Sequence, residues 1–165
     1  MTSQLSNVAI LDRDTAQDKT ISPIPTSTPP MQQRLQMRGS IIHLMQNSEV
    51  LRQYTIAELE ERFIPSLLHN QVRYYEIDSV PVGFVNWAWL GDETEQKYST
   101  GDYELTLDEW TGGTSLWFPE FIAPFGHARK MVADLRTNVH KKGTPAKALR
   151  IFPEGELTGI TQYLL

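Results

Sequence analysis

Glu120 sits where a carboxylate is expensive to keep. It lies in the stretch 108–126, which packs two tryptophans, three phenylalanines and a double glycine into nineteen residues. With Phe118 and Phe121 on either side, its burial is costly unless something pairs with it. The alternating, aromatic-rich run 115–122 predicts a strand covered on both faces. The chain then breaks at Pro124-Phe125-Gly126, and a basic helix is expected to begin. Strand, carboxylate, turn and helix N-terminus together suit acid–base work beside a developing oxyanion. The alternative is an aromatic core strand with one edge glutamate.

The elements that would hold this segment follow from periodicity. Residues 31–47 predict a helix, with Leu35, Ile42 and Met45 near one face. His43 lies within it, and a lone histidine among apolar residues is more often structural than catalytic. Thr55-Ile56-Ala57-Glu58 is a capping-box pattern, followed by Ile56, Leu59, Phe63 and Leu67 at helical spacing. Pro65 is expected to kink that helix or divide it in two. Residues 71–77 and 82–90 predict two strands joined by a connection over 78–81. Gly83 marks a bulge or a close backbone approach. A short exposed helix is expected over 92–99, while 105–107 is ambiguous. Beyond the central strand come a helix over 127–140, a strand over 146–152, and an edge strand or frayed end over 158–165. The result is a single α/β domain, residues 31–165, with a mixed, mostly antiparallel sheet and flanking helices. Residues 1–30 hold four prolines and no aromatic residue, and read as a disordered tail.

Composition narrows the chemistry. With 165 residues, 40% hydrophobic, the chain can bury a real core, and its lack of cysteine rules out thiol nucleophiles and zinc–thiolate sites. No apolar run is long enough to span a bilayer. No secretion signal opens the chain, so a cytoplasmic home is expected. Walker, dinucleotide, zinc and EF-hand patterns are missing, and the aromatics do not repeat as an RNA-binding platform would require. No metal or nucleic acid is therefore expected. The net charge of −5 is unevenly spread: 92–109 carries seven acids against Lys97, and 127–150 carries seven Lys or Arg against Asp134. A basic patch on an acidic protein suits a specific acidic partner. The two segments could equally face each other or be solvated faces.

Particular residues then point to a family. Asn86-Trp87-Ala88, Glu109-Trp110-Thr111-x-Gly113, Trp117-Phe118 and Ile122-Ala123-Pro124-Phe125-Gly126 closely resemble the RTX toxin-activating lysine acyltransferases. The likeness runs from about residue 35 to 155, ending at Leu149-Arg150-Ile151-Phe152-Pro153. It implies a GNAT-like acyltransferase fold, often dimeric. It also implies transfer of a fatty acyl group from the phosphopantetheine thioester of acyl-carrier protein to lysine ε-amines of a protoxin, with no permanently bound cofactor.

The resemblance implies a Ser-x-x-His at the end of the first helix and an aspartate in the central strand. Carried over, these fall on Ser48, Leu51 and Glu120, so leucine stands where the family has its histidine. Three groups could supply the base. Glu120 could take the amine proton itself, raised in pKa by its apolar neighbours; His127, seven residues on, could swing in; His43 lies two helical turns before Leu51, too far for direct replacement. Ser48 would be a polar helper. Amides near Gly126 would steady the thioester or phosphate, and Arg129, Lys130, Lys141 and Lys142 would dock the acidic carrier. The competing expectation is a catalytically impaired acyltransferase fold kept to bind acyl chains, carrier protein or a partner.

Overall fold

The structure, a computed structural model, describes Ser22–Pro23, residues 30–151 and residues 157–165, with side chains over 30–150 and 159–165. Of the expected tail, Ser22–Pro23 forms a short strand, β1, on the outer edge of the sheet, and the remainder up to residue 29 lies outside the described residues.

Helix α1 runs Met31–Gln46 and buries Met37, Ile41, Leu44 and Met45. A 3₁₀ turn at Leu51–Gln53 leads to α2, Ile56–Leu68. Its capping box forms as expected: the Thr55 amide donates to Glu58 Oε2 at 2.7 Å, and the Glu58 amide donates to Thr55 Oγ1 at 3.2 Å. Pro65 does not divide α2. It stands in the last turn, so only the one amide that would have reached Glu61 is missing, and the helix ends a turn later at Leu68.

Strands β2 (Val72–Ile77) and β3 (Val80–Asn86) form a hairpin. Its turn is two residues, shorter than expected. Asp78 and Ser79 both take left-handed φ, 50° and 63°, which matches the twist of the flanking strands and draws Pro81 into β3. Opposite Tyr75 and Glu76 the register skips Val82, so a bulge adjoins Gly83. A Cβ on Gly83 would come within 2.4 Å of Met131 Sδ, so this glycine admits the helix after the central strand.

After Trp87 the chain continues as β4, Ala88–Leu90, then α3, Asp92–Tyr98, and a 3₁₀ turn at Leu107–Thr111. The expected central strand over 115–122 is two strands, β5 (Ser115–Trp117) and β6 (Phe121–Ile122). Pro119 has no amide to give a ladder, and the Phe118 amide turns to Lys147 O at 2.8 Å. Helix α4, Ala128–Asp134, passes into a π turn at Leu135–Val139. Strands β7 (Pro145–Ile151) and β8 (Leu157–Leu164) complete the chain.

The strands order as β1-β2-β3-β6 and β4-β5-β7-β8, all antiparallel except the β5–β7 pair. The chain links the two sheets twice: β3 runs into β4 through Trp87, and β5 into β6 through 118–120. The sheets part where Glu120 sits. One core packs α4 on Phe118, Phe121 and Leu116; another packs α1 and α2 on Tyr74, Phe84 and Ile122.

Candidate active site

At the strand break Asn86 does the work a ladder would have done. Its side chain is fully buried, and its Oδ1 accepts the Glu120 amide at 2.7 Å. Its Nδ2 donates to Arg62 O at 3.0 Å and to Ser66 Oγ at 3.3 Å, tying α2 to the break. The Glu120 side chain has no solvent exposure. Arg62 Nη1 donates to its Oε1 at 2.8 Å, while Oε2 has no hydrogen-bond partner among the described residues. Arg62 also reaches Glu104 Oε1 at 3.5 Å and lies 5.0 Å from the centre of the Tyr54 ring.

Burial pushes the Glu120 carboxyl above the ordinary range, and the Arg62 guanidinium pulls against that rise. For Arg62 burial works against its charge, but Glu120, with Tyr54 and Glu104, more than offsets this and holds the guanidinium protonated. The pair is a carboxylate with one oxygen anchored to a cation and the other unused.

The remaining expected site residues have other partners. Ser48 Oγ accepts the Leu51 amide at 3.4 Å and closes the turn after α1. Leu51 itself is 3% exposed, packed among the apolar residues of α1 and α2. His127 occupies the N-cap position of α4, its Nδ1 buried and without a hydrogen-bond partner among the described residues. Burial, with Lys130 adding to it, lowers its pKa. Because Arg62 holds one Glu120 oxygen and the other has no partner, neither Ser48 nor His127 is bonded to that carboxylate. His43 faces Phe125, ring centres 6.3 Å apart.

Gly126 takes a left-handed φ of 84° and donates its amide to Ala123 O at 3.3 Å, so that amide serves the turn. Arg129 and Lys130 follow in the first turn of α4. The two charged segments meet where Lys147 donates to Glu95; the same Glu95 oxygen accepts from Ser115 Oγ and Trp117 Nε1, both at 3.0 Å.

Two spaces flank the break. Between α4 and β7–β8 lies an apolar cavity of about 380 Å³, lined among others by Phe118, Phe121, Val132, Leu135, Ala148 and Tyr163. A second, of about 20 Å³, is bounded by Arg62, Tyr98, Tyr103, Trp110 and Glu120, with Glu61 and Glu104 also lining it. Sequence reasoning missed Arg62. The one available signal was its place on α2, between Leu59 and Phe63 of the buried face.

A mixed α/β sheet that parts at its centre, helices flanking it, a buried carboxylate at the parting point and an apolar cavity beside it define a GNAT-like acyltransferase fold. The RTX toxin acyltransferase family matches residues 31–159, and the chain belongs to that family. It is similar to the lysine-acyltransferase RtxC of Vibrio cholerae, 38% identical over 105 residues, 63% of this chain and 69% of that one. An uncharacterized Synechocystis protein is 33% identical over 74% of this chain and 84% of its own. The RTX-II toxin-activating lysine-acyltransferase ApxIIC of Actinobacillus pleuropneumoniae is 29% identical over 76% of this chain and 78% of its own. Among the described residues, no helix is long and apolar enough to cross a membrane.

Proposed function

We propose that this protein transfers a fatty acyl group from acyl-carrier protein to a lysine ε-amine of a protein substrate of the RTX protoxin type, with Glu120 as the base. The observation that carries the reading is the unpartnered Oε2 of a fully buried carboxylate, at the position where the family resemblance expects one. A lysine amine titrates near ~10.4, so about one in a few thousand is a free nucleophile at neutral pH. A base must therefore receive a proton as nitrogen attacks. Glu120 suits this because burial raises its proton affinity, with Arg62 pulling the other way.

The step balances without a cofactor. The neutral amine attacks the thioester carbonyl and a C–N bond forms. Its proton passes to Glu120 Oε2, the C–S bond breaks, and the thiolate of the carrier leaves and is protonated. The cavity beside Phe118 and Phe121 supports this reading because it suits a methylene chain. Gly126, Arg129 and Lys130 lie on the turn and first helical turn next to it, where they would meet the carrier's phosphopantetheine arm, with His127 as a reserve proton acceptor and Ser48 as a polar helper. Lys141 and Lys142, both exposed, extend the basic surface toward an acidic carrier.

The test is transfer from acyl-carrier protein to a lysine-bearing substrate, read by mass spectrometry. Glu120→Gln should lower the rate by ~10²–10⁴. Unchanged transfer in that variant would sink Glu120 as the base.

A second reading rests on Leu51. A leucine buried at the position of the family's histidine also suits a fold kept for binding acyl chains or carrier protein. Under it, wild-type protein transfers nothing, and Leu51→His restores transfer only if the rest of the site is intact.

A further inference from the structure

The small space below Arg62 has no part in the donor side of the reaction, yet its lining is specific. Its walls are Tyr98, Tyr103 and Trp110, and Glu120 forms part of it. Glu61 and Glu104, both exposed, also line it. Its volume of about 20 Å³ is room for one water or one ammonium head. Aromatic walls favour a cation and the apolar stem behind it. Independently of that lining, Glu120 Oε2 is fully buried with no partner.

We propose that this slot, between α2 and the 101–105 segment, receives the acceptor lysine's ammonium group, and that Arg62 is the positioning residue that fixes Glu120 for it. The inference rests on the acyl-transfer reading and adds where its acceptor enters. Arg62 holds Oε1 at 2.8 Å, leaving Oε2 as the oxygen for the amine. Asn86 sets the distance between them, since one side chain bonds both the Arg62 carbonyl and the Glu120 amide. Glu104, 3.5 Å from Arg62, offers that guanidinium a second anchor as the slot fills. A fixed guanidinium beside an arriving ammonium also favours loss of the ammonium's proton, which the reaction requires. The acceptor would thus come from the α2–α3 side while the acyl chain lies against α4.

The test needs no donor. Intact ¹⁵N-labelled protein is titrated with Nα-acetyl-lysine methylamide, and in parallel with its norleucine analogue. The lysine probe should shift the resonances of Tyr98, Tyr103, Trp110 and Glu120, and the norleucine probe should not. Glu104→Gln, a change at an exposed residue, should weaken the titration by about three-fold. No shifts, equal shifts with norleucine, or shifts confined to the surface around Asp92 and Glu95 would overturn the slot. For Arg62 the readout is the ¹³C titration of the Glu120 carboxyl. It should move to higher pH in Arg62→Leu and return in Arg62→Lys, whereas a merely structural arginine would leave it unmoved. If the lysine probe binds but no acyl group is transferred, the slot stands and the transferase reading falls.

Discussion

Arg62 and Glu120 are 58 residues apart in sequence, yet the fold brings them into a 2.8 Å contact. Removing one partner of such a pair costs more than the pair itself contributes, because an uncompensated buried charge remains. Arg62→Leu should therefore destabilise by about 3–5 kcal/mol, while the double variant Arg62→Leu/Glu120→Leu should recover much of that loss. Urea unfolding of the two single variants and the double checks this; additive losses would refute it. The same distance explains what could be read from sequence. The cost of a carboxylate between Phe118 and Phe121 is visible in the neighbours themselves, but its partner lies on another element. The place of Arg62 on α2, between Leu59 and Phe63, is the one local sign that it is turned inward. His140 was hidden because its partners too lie elsewhere in the chain. Its ring lies 5.1, 6.0 and 5.8 Å from those of Trp87, Trp89 and Phe118, drawn from two segments distant in sequence. Burial depresses its pKa to about 4. Since the folded value lies below the unfolded one, the unfolded chain binds the extra proton between about pH 6.5 and 4. Stability is then full above that window and falls as pH drops through it. Between pH 7 and 5 the loss attributable to this ring should be about 1 kcal/mol, allowing for its partial contact with water. His140→Phe should flatten that pH dependence in thermal unfolding.

Elements are placed here by backbone approaches that side-chain patterns barely record. The capping box at Thr55 and the strand-like alternation of β2 and β3 are local, and both were legible. The division of the central strand was not, because alternation continues through Phe118 and Phe121 while Pro119 alone interrupts the hydrogen bonding. The double glycine shows the difference within two residues. A Cβ on Gly113 would lie 2.1 Å from Leu90 O and 2.2 Å from Gly91 N, both backbone atoms that cannot yield. The Gly113 amide also donates to Trp89 O at 2.8 Å, so this approach is what fastens the loop to β4. A Cβ on Gly112 would meet nothing nearer than 3.7 Å, and its φ of −78° suits any residue. Gly113→Ala should cost about 3 kcal/mol or prevent folding, whereas Gly112→Ala should stay within about 0.5 kcal/mol. Equal unfolding midpoints for the two variants would contradict this account of the motif's last glycine.

Over the whole molecule, charge is divided as the proposed reaction would need. The donor's carrier is acidic and would meet the basic segment around α4 and Lys141-Lys142. The acceptor's lysine would meet the acids of the α2–α3 side. Part of this division is internal, since Lys147 is already engaged with Glu95, so the segment's raw charge overstates what a partner can use. Lys141 and Lys142 are exposed and follow the π turn in sequence. Charges placed this way act on encounter more than on chemistry. Lys141→Glu/Lys142→Glu should raise KM for acyl-carrier protein about ten-fold at low salt while leaving kcat within about two-fold. The difference from wild type should shrink as ionic strength approaches 0.15 M, where the screening length falls to about 8 Å. Initial rates over a series of carrier and salt concentrations measure this. A fall in kcat with KM unchanged would move these lysines from docking to the reaction itself, and the two-sided arrangement of donor and acceptor would have to be abandoned.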